Sequence, residues 1–389
     1  MLAHEPDQNL VTGTPSPAAD DFFAALLRGE PIAWRTLRMA PDAFLRACRE
    51  RDLTGLVYER LRHWPEACEW PRDVREALAV DMRALTAREL LRRQEIVAVL
   101  KALAAEGIHP IVLKGTALAY SLYGSPASRP RVDTDLLIRR TDVDRVRRVL
   151  ALRGYRTPIH CDGELLFCQF PLKKTDEYGL VHHFDFHWKI STQSVFADLL
   201  AYDEIAAAAI EVPSLGEHAR TCGSLHALLL ACIHPVMHHR NTQLFTWMHD
   251  VHLLASGLSE SEFDRFAELA IAKHVSAICA HQLSVSRRWL HTRIPESVTL
   301  KLDAVPGPEA SAAYLQRNRE WADELISSVR GLPRWGDRLR LLREVALPGP
   351  AYMLKAYGLT PLWLGASLLP VFYLHRLVFG GWKVLAGQK

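Results

Sequence analysis

The sequence predicts an α+β (mixed) protein, a small mixed β-sheet core flanked by N-terminal and C-terminal helical regions. Three observations carry this expectation. Apolar residues recur at three- and four-residue steps before residue 107 and again after residue 196, which is the helical period. Between those blocks the texture changes to short β-like runs separated by Gly, Pro and Asp. The run at 180–190, LVHHFDFHWKI, alternates with period two and sends aromatic residues to one face and His and Asp to the other.

The chain has 389 residues, 49% hydrophobic and 23% charged, an ordinary globular composition with room for about two or three domains. Its formal net charge of +3 is too small to serve as a nucleic-acid signature, which needs clustered Lys and Arg and a more basic balance. Residues 1–19 are polar, carry Pro and Ser and have no apolar signal core, so they read as a disordered leader on a cytoplasmic protein. Seven cysteines are scattered without a CxxC pair, which argues against a disulfide framework or a thiolate zinc site.

The first helical region, 20–107, carries apolar faces at Leu53, Leu56, Val57 and Leu61, and at Val74, Leu78, Met82 and Leu85. Pro31, Pro41, Pro65 and Pro71 divide it into separate helices. Nothing in it looks chemical, and it reads as a block that packs beside a catalytic domain or holds a partner. The core follows at 108–192, with strands expected at 109–113, 131–138, 155–157, 164–170 and 180–190 and one helix at 142–152. A C-terminal helical region, 193–346, has helices expected at 203–210, 224–239, 244–255 and 259–290 and a further set from 308 to 345.

The tail, 347–389, is strongly apolar between Leu359 and Phe379. A spanning helix needs about 20 continuous apolar residues, and Pro361, Pro370, His375 and Arg376 interrupt this run. It reads as a packed or interfacial helix pair. Both a buried role and a role against a membrane surface or protein partner stay open, the second making the protein peripheral to a membrane.

The chemistry concentrates in HPIVLKGTALAYSLYGSPASRPRVDTDLLI, 109–138. The first apolar run stops at Lys114-Gly115 and leads into a helix-like segment, so it reads as strand, tight turn, helix. In the second run, period two puts Arg131, Asp133, Asp135 and Leu137 on one side, aiming two carboxylates at one point. On the strand at 180–190, Asp185 shares its face with His183 and His187. Plainer readings stand beside these: D-T-D near a proline is also turn chemistry, a lysine before glycine is also a solvated turn residue, and Arg129 and Arg131 can salt-bridge aspartates instead of a ligand. His234 and His238 share a helical face at i and i+4 and with Asp250 can bind zinc, although the Glu of an HExxH motif is absent; a structural or acceptor-side role is the alternative. No GxxxxGK[ST], GxGxxG or GxSxG motif appears, which disfavours Walker ATPases, dinucleotide oxidoreductases and α/β-hydrolases.

Taken in order, L-K-G-x-A-L-x-x-x-L-Y-G, R-P-R-x-D-T-D-L-L-I, H-x-D-x-H-W and the stretch HPVMHHRNTQLFTWMHDV, 234–251, resemble the uncharacterised bacterial nucleotidyltransferases of the nucleotidyltransferase-5 type, remote relatives of the polymerase-beta-type superfamily. The resemblance covers roughly 111–254. It implies a mixed sheet on which Asp133 and Asp135 match the D-x-D pair and Asp185 the third carboxylate, together holding Mg²⁺ or Mn²⁺. It further implies an NTP, ATP among the candidates, as substrate, and transfer of a nucleoside monophosphate to an acceptor that is a small molecule, a protein or an RNA. Lys114, Gly115, Arg129 and Arg131 are then the candidate contacts to the triphosphate, and His183, His187, His234, His238 and Asp250 lie behind the metal or on the acceptor side. Where the superfamily opens with Gly-Ser at the first turn, this chain has Lys114-Gly115. A catalytically inactive binding or scaffold protein of the same fold is the alternative expectation.

Overall fold

The computed structural model describes residues 17–64, 69–158, 163, 165, 167–316, 321–359 and 367–386. In chain order the helices α1 (Pro17–Arg28), α2 (Pro41–Glu50), α3 (Thr54–Arg62) and α4 (Arg72–Ala105) lead into β1 (Ile111–Val112), α5 (Lys114–Ser121), β2 (Thr134–Leu137), α6 (Val143–Leu152), β3 (Gln169–Thr175) and β4 (Val181–His187). Then come α7 (Ser194–Ala197), α8 (Tyr202–Ala207), β5 (Ile210–Glu211) and β6 (Arg220–Thr221). The chain continues through α9 (Ser224–His238), α10 (Phe245–Ser256), α11 (Glu260–Ala272), α12 (Ser276–Leu290) and α13 (Glu296–Asp303). It closes with α14 (Trp321–Gly331), α15 (Trp335–Ala346), α16 (Pro350–Ala356) and α17 (Leu369–Ala386). The expected α+β class holds. Most of the leader lies outside the described residues, and its last three residues, 17–19, already belong to α1.

The six strands form one sheet in the order β3-β4-β2-β1-β6-β5. It is mixed: β1 runs parallel to β6, while β3 and β4, and β5 and β6, are antiparallel. The strands expected at 109–113, 131–138 and 180–190 are present in shorter form. The one expected at 155–157 reduces to a bridge between Arg156 and Lys173. The one expected at 164–170 sits later, at Gln169–Thr175, because Lys173 and Lys174 on this edge strand mask its period; edge strands carry such charges as protection against stray pairing. Strands β5 and β6 have two residues each and no readable alternation, so the sequence predicts no strand there and the helix expected at 203–210 runs one residue into β5.

By its contacts the described chain falls into two compact units, the described residues of 17–135 with those of 205–315, and the described residues of 136–204 with those of 316–386. In the first, α1 to α4 share one core with the helices after residue 244. Phe23, Phe44, Trp70 and Leu78 belong to the same buried cluster as Phe245, Met248, Val285 and Leu290, and Phe23 stacks on Phe44 with ring centroids 5.9 Å apart. The N-terminal helices are therefore part of this fold unit. The long α4, 34 residues and so about 50 Å, runs beside α3 and beside the turn at 126–128. Gly55 lets α3 itself close on that turn, since a Cβ there would lie 2.6 Å from the Ser128 Cα. The stretch expected as one helix at 259–290 is two, α11 and α12, broken where His274 takes a left-handed φ of +55°; Ser259 and Glu262 form a capping box at the start of α11.

In the second unit the alternation of β4 is realised. Phe184 and Phe186 are buried, Asp185 is half-buried between them, and Phe186 stacks on Phe170 of β3 at 5.4 Å. His182, on the aromatic face, is buried against Asp176 at 2.9 Å. No helix among the described residues is long and apolar enough to cross a membrane. The five described cysteines are free and buried. The Phe186→Ala variant is expected to lose about 3–5 kcal/mol of stability, as deletion of a fully packed aromatic does, read as a lower urea midpoint at constant denaturant slope.

Candidate functional site

The site begins where β1 stops. The Leu113 amide donates to the Asp135 carbonyl at 3.0 Å, and the Thr116 hydroxyl to the Asp133 carbonyl at 3.3 Å, so the turn into α5 is stitched to β2 on both sides of Thr134. The next residue, Lys114, has φ +49°, a left-handed conformation that costs a residue with a Cβ about 1–2 kcal/mol. The turn is built with a lysine in a glycine-like backbone state. What the strained backbone delivers is the ammonium: Lys114 Nζ ion-pairs with Asp135 Oδ1 at 2.8 Å, and both side chains are largely buried.

Asp135 is the second residue of β2, Asp133 lies just before it on the same face, and Asp185 is central in β4. Their carboxylates each offer an oxygen within 4.8 Å of the others. Ligands around one octahedral Mg²⁺ stand about 3–4 Å apart and are oxygens, so the donor set fits a divalent cation after small carboxylate rotations. Among the described residues no other group of three or more His, Cys, Asp or Glu has this arrangement. His234, His238 and Asp250, the alternative zinc set, are thereby set aside, and Asp250 is committed elsewhere. His183 and His187 stand on the Asp185 side of β4, His187 buried and His183 half-buried.

Asp250 holds Arg129. The guanidinium donates to its two oxygens at 2.6 and 3.2 Å and to the Pro130 carbonyl at 2.7 Å, and the Tyr123 hydroxyl donates to Asp250 Oδ1 at 2.7 Å. Burial alone pulls the Arg129 pKa down, and the Asp250 carboxylate more than reverses this, so the charge is locked on. The Tyr123 phenol is pushed well up, by burial first and then by Asp250. Gly115 has its reason here: a Cβ would meet the Arg129 Nη1 at 3.0 Å. Arg131 is committed too, ion-paired with Glu89 of α4 and lying 5.6 Å over the Tyr120 ring, while Tyr120 also donates to Glu89. Of the three cations expected near the triphosphate, Lys114 sits among the metal-type carboxylates and the two arginines are engaged with Asp250 and Glu89.

Lys114, Gly115, Arg129, His234 and Asp250 line one cavity of about 40 Å³, room for a few waters and not for a nucleobase. The His234 imidazole, edge-on to Trp247 at 5.2 Å, is held neutral, its pKa well below the usual value through burial first and then through His239, Lys114 and His238. Three residues escaped the sequence reading: Glu89, Tyr123 and His249. Glu89 was hidden in an Arg-rich helix that looks solvated, and the other two gain their meaning only through Asp250.

Three convergent carboxylates carried by neighbouring parts of a mixed sheet, with a lysine turn against them, form a donor set that could hold a divalent cation. The chain belongs to the family described as uncharacterised nucleotidyltransferase, whose profile matches residues 38–291. The match begins within the N-terminal helices, well before the 111–254 stretch that resembles the family by eye. A search of curated proteins finds none that matches.

Two measurements check this network. Asp250→Ala, which strands the buried Arg129 charge, is expected to cost about 3–5 kcal/mol in a denaturant melt. His249 lies 3.3 Å from the Tyr123 hydroxyl, and burial pulls its pKa from 6.5 down to about 4. Between these values the unfolded chain binds a proton that the folded chain refuses. The stability present above pH 6.5 therefore drains as pH falls to 4, at up to about 1.4 kcal/mol per unit and about 3 kcal/mol in all. His249→Gln is expected to flatten that part of the stability–pH curve.

Proposed function

We propose that this protein transfers a nucleoside monophosphate from a nucleoside triphosphate to an acceptor carrying a hydroxyl or phosphate, with Asp133, Asp135 and Asp185 holding Mg²⁺ or Mn²⁺. The observation that carries the reading is the convergence of those three carboxylates within 4.8 Å in a chain of the nucleotidyltransferase family. A bound divalent cation supplies neutralisation of the triphosphate and of the charge that builds on the leaving pyrophosphate. Asp133 and Asp135 would hold the cation together with Asp185. Asp185 completes the set and accepts the proton of the acceptor hydroxyl, whose oxygen bonds to the α-phosphorus as the bond to pyrophosphate breaks. Lys114 adds a point charge toward the phosphates. The first turn of α5 offers backbone N–H groups to the same anion. Arg129 and Arg131 act from behind, fixing the approach to β2 through Asp250 and Glu89.

One observation favours a second reading, a non-catalytic binding or scaffold protein of the same fold. The Lys114–Asp135 pair neutralises one carboxylate of the three without any metal. Calorimetric titration separates the enzyme from an inert scaffold, which shows no Mg²⁺-dependent ATP binding, and pyrophosphate release separates it from a protein that only binds. For the enzyme, incubation with a panel of labelled NTPs and Mg²⁺ is expected to release pyrophosphate and to leave a mass-detectable adduct on the acceptor. Asp133→Asn is expected to lower that release at least a hundredfold; release unchanged by the substitution rules the site assignment out.

A further inference from the structure

The two helices α15 and α17, which touch each other, are turned the wrong way round for water. On α15, Trp335, Leu339 and Leu342 are exposed, Trp335 at 73%, and at 100° per residue they share an arc of about 60°. Arg338 and Arg343 border that arc on either side, while Asp337 and Glu344 lie on the far side of the helix. Arg338 places its guanidinium 4.9 Å over the Trp335 ring. The buried residues of α15, Leu341 and Val345, occupy a different face, so the exposed stripe is not spare core.

On α17 the inversion is more complete. Val371, Leu374, Leu377 and Val378 are all exposed, Leu374 at 63%, over an arc of about 120° that contains no charge. The polar side faces inward: the Tyr373 hydroxyl donates to the Pro348 carbonyl at 2.6 Å and Arg376 Nη2 to the Val345 carbonyl at 3.1 Å. Phe372 stacks on Tyr357 at 4.3 Å. A helix in water does the opposite, burying its leucines and wetting its arginine.

We infer that α15 and α17 lay these apolar faces into the headgroup and acyl boundary of an anionic phospholipid bilayer, resting on it without crossing. Charge selects this occupant. From residue 330 to 386 the sequence has eight Lys and Arg against two Asp and Glu, in a chain whose overall totals are nearly balanced at 47 and 44. Cations bordering a Trp- and Leu-bearing stripe are the arrangement of an interfacial helix, with arginines reaching for lipid phosphates and the tryptophan at headgroup level. A second copy fits worse, because a twofold contact through this face sets its arginine borders against each other.

The test is flotation of the full chain with vesicles of phosphatidylcholine containing phosphatidylglycerol, and with phosphatidylcholine alone. The expected result is binding to the anionic vesicles that weakens with added salt. Leu374→Glu and Trp335→Glu, both at exposed positions, are expected to lower the partition coefficient tenfold or more with an unchanged far-ultraviolet dichroism spectrum. Leu152→Glu, at a position on α6 that is 91% exposed, is expected to leave binding as it is. Absence of flotation overturns the inference, as does equal binding to neutral vesicles or an equal loss in the Leu152 variant. A dimer in sedimentation that Leu374→Glu dissolves, without flotation, assigns the face to a second copy instead.

Discussion

A buried guanidinium sets the shape of this site. Arg129 leaves the turn after α5, passes over Gly115 and ends on Asp250 of α10, so that one ion pair fixes the turn before β2 and a helix 121 positions later in the chain. A buried pair of this kind is weak evidence for stability and strong evidence for geometry, because breaking it leaves a charge with nowhere to go. A Cβ at 115 would press on the guanidinium at 3.0 Å, Asp250 adds to the burial that keeps Tyr123 protonated, and Arg129 adds to the burial that holds His249 neutral. A second pair, Glu89 with Arg131, repeats the device from α4. The approach to Asp133 is thus held from two helices, each by a carboxylate that contacts no ligand in the proposed reaction.

The legible part of the sequence was the part with a period. The alternation of 180–190 gave the orientation of Asp185 because Phe184, Phe186 and Trp188 take every second position around it, and the same rule placed Asp133 and Asp135 together. Short or charged strands carried no such signal: β5 and β6 are too brief to alternate, and β3 is disguised by Lys173 and Lys174. The destinations of Arg129 and Arg131 were illegible for a different reason. Their partners, Asp250 and Glu89, lie 121 and 42 residues away in sequence, and nothing local distinguishes an arginine that will meet a phosphate from one that will meet a carboxylate. The N-terminal helices looked like an appendage because their apolar faces are ordinary; only the shared core with Phe245 and Val285 shows that they pack as one unit with the later helices.

The inverted helix α17 reflects the same limit. Its composition announces an apolar segment, but composition cannot say which side is turned inward. That depends on whether Arg376 and Tyr373 find carbonyls to bond, and in this fold Val345 and Pro348 supply them.

Lys114 keeps a left-handed backbone that glycine would adopt without strain. Glycine there would relieve that strain but would remove the 2.8 Å ion pair to the largely buried Asp135. Residue 114 therefore sets a local backbone cost against the charge that meets Asp135, and the fold carries the first to keep the second.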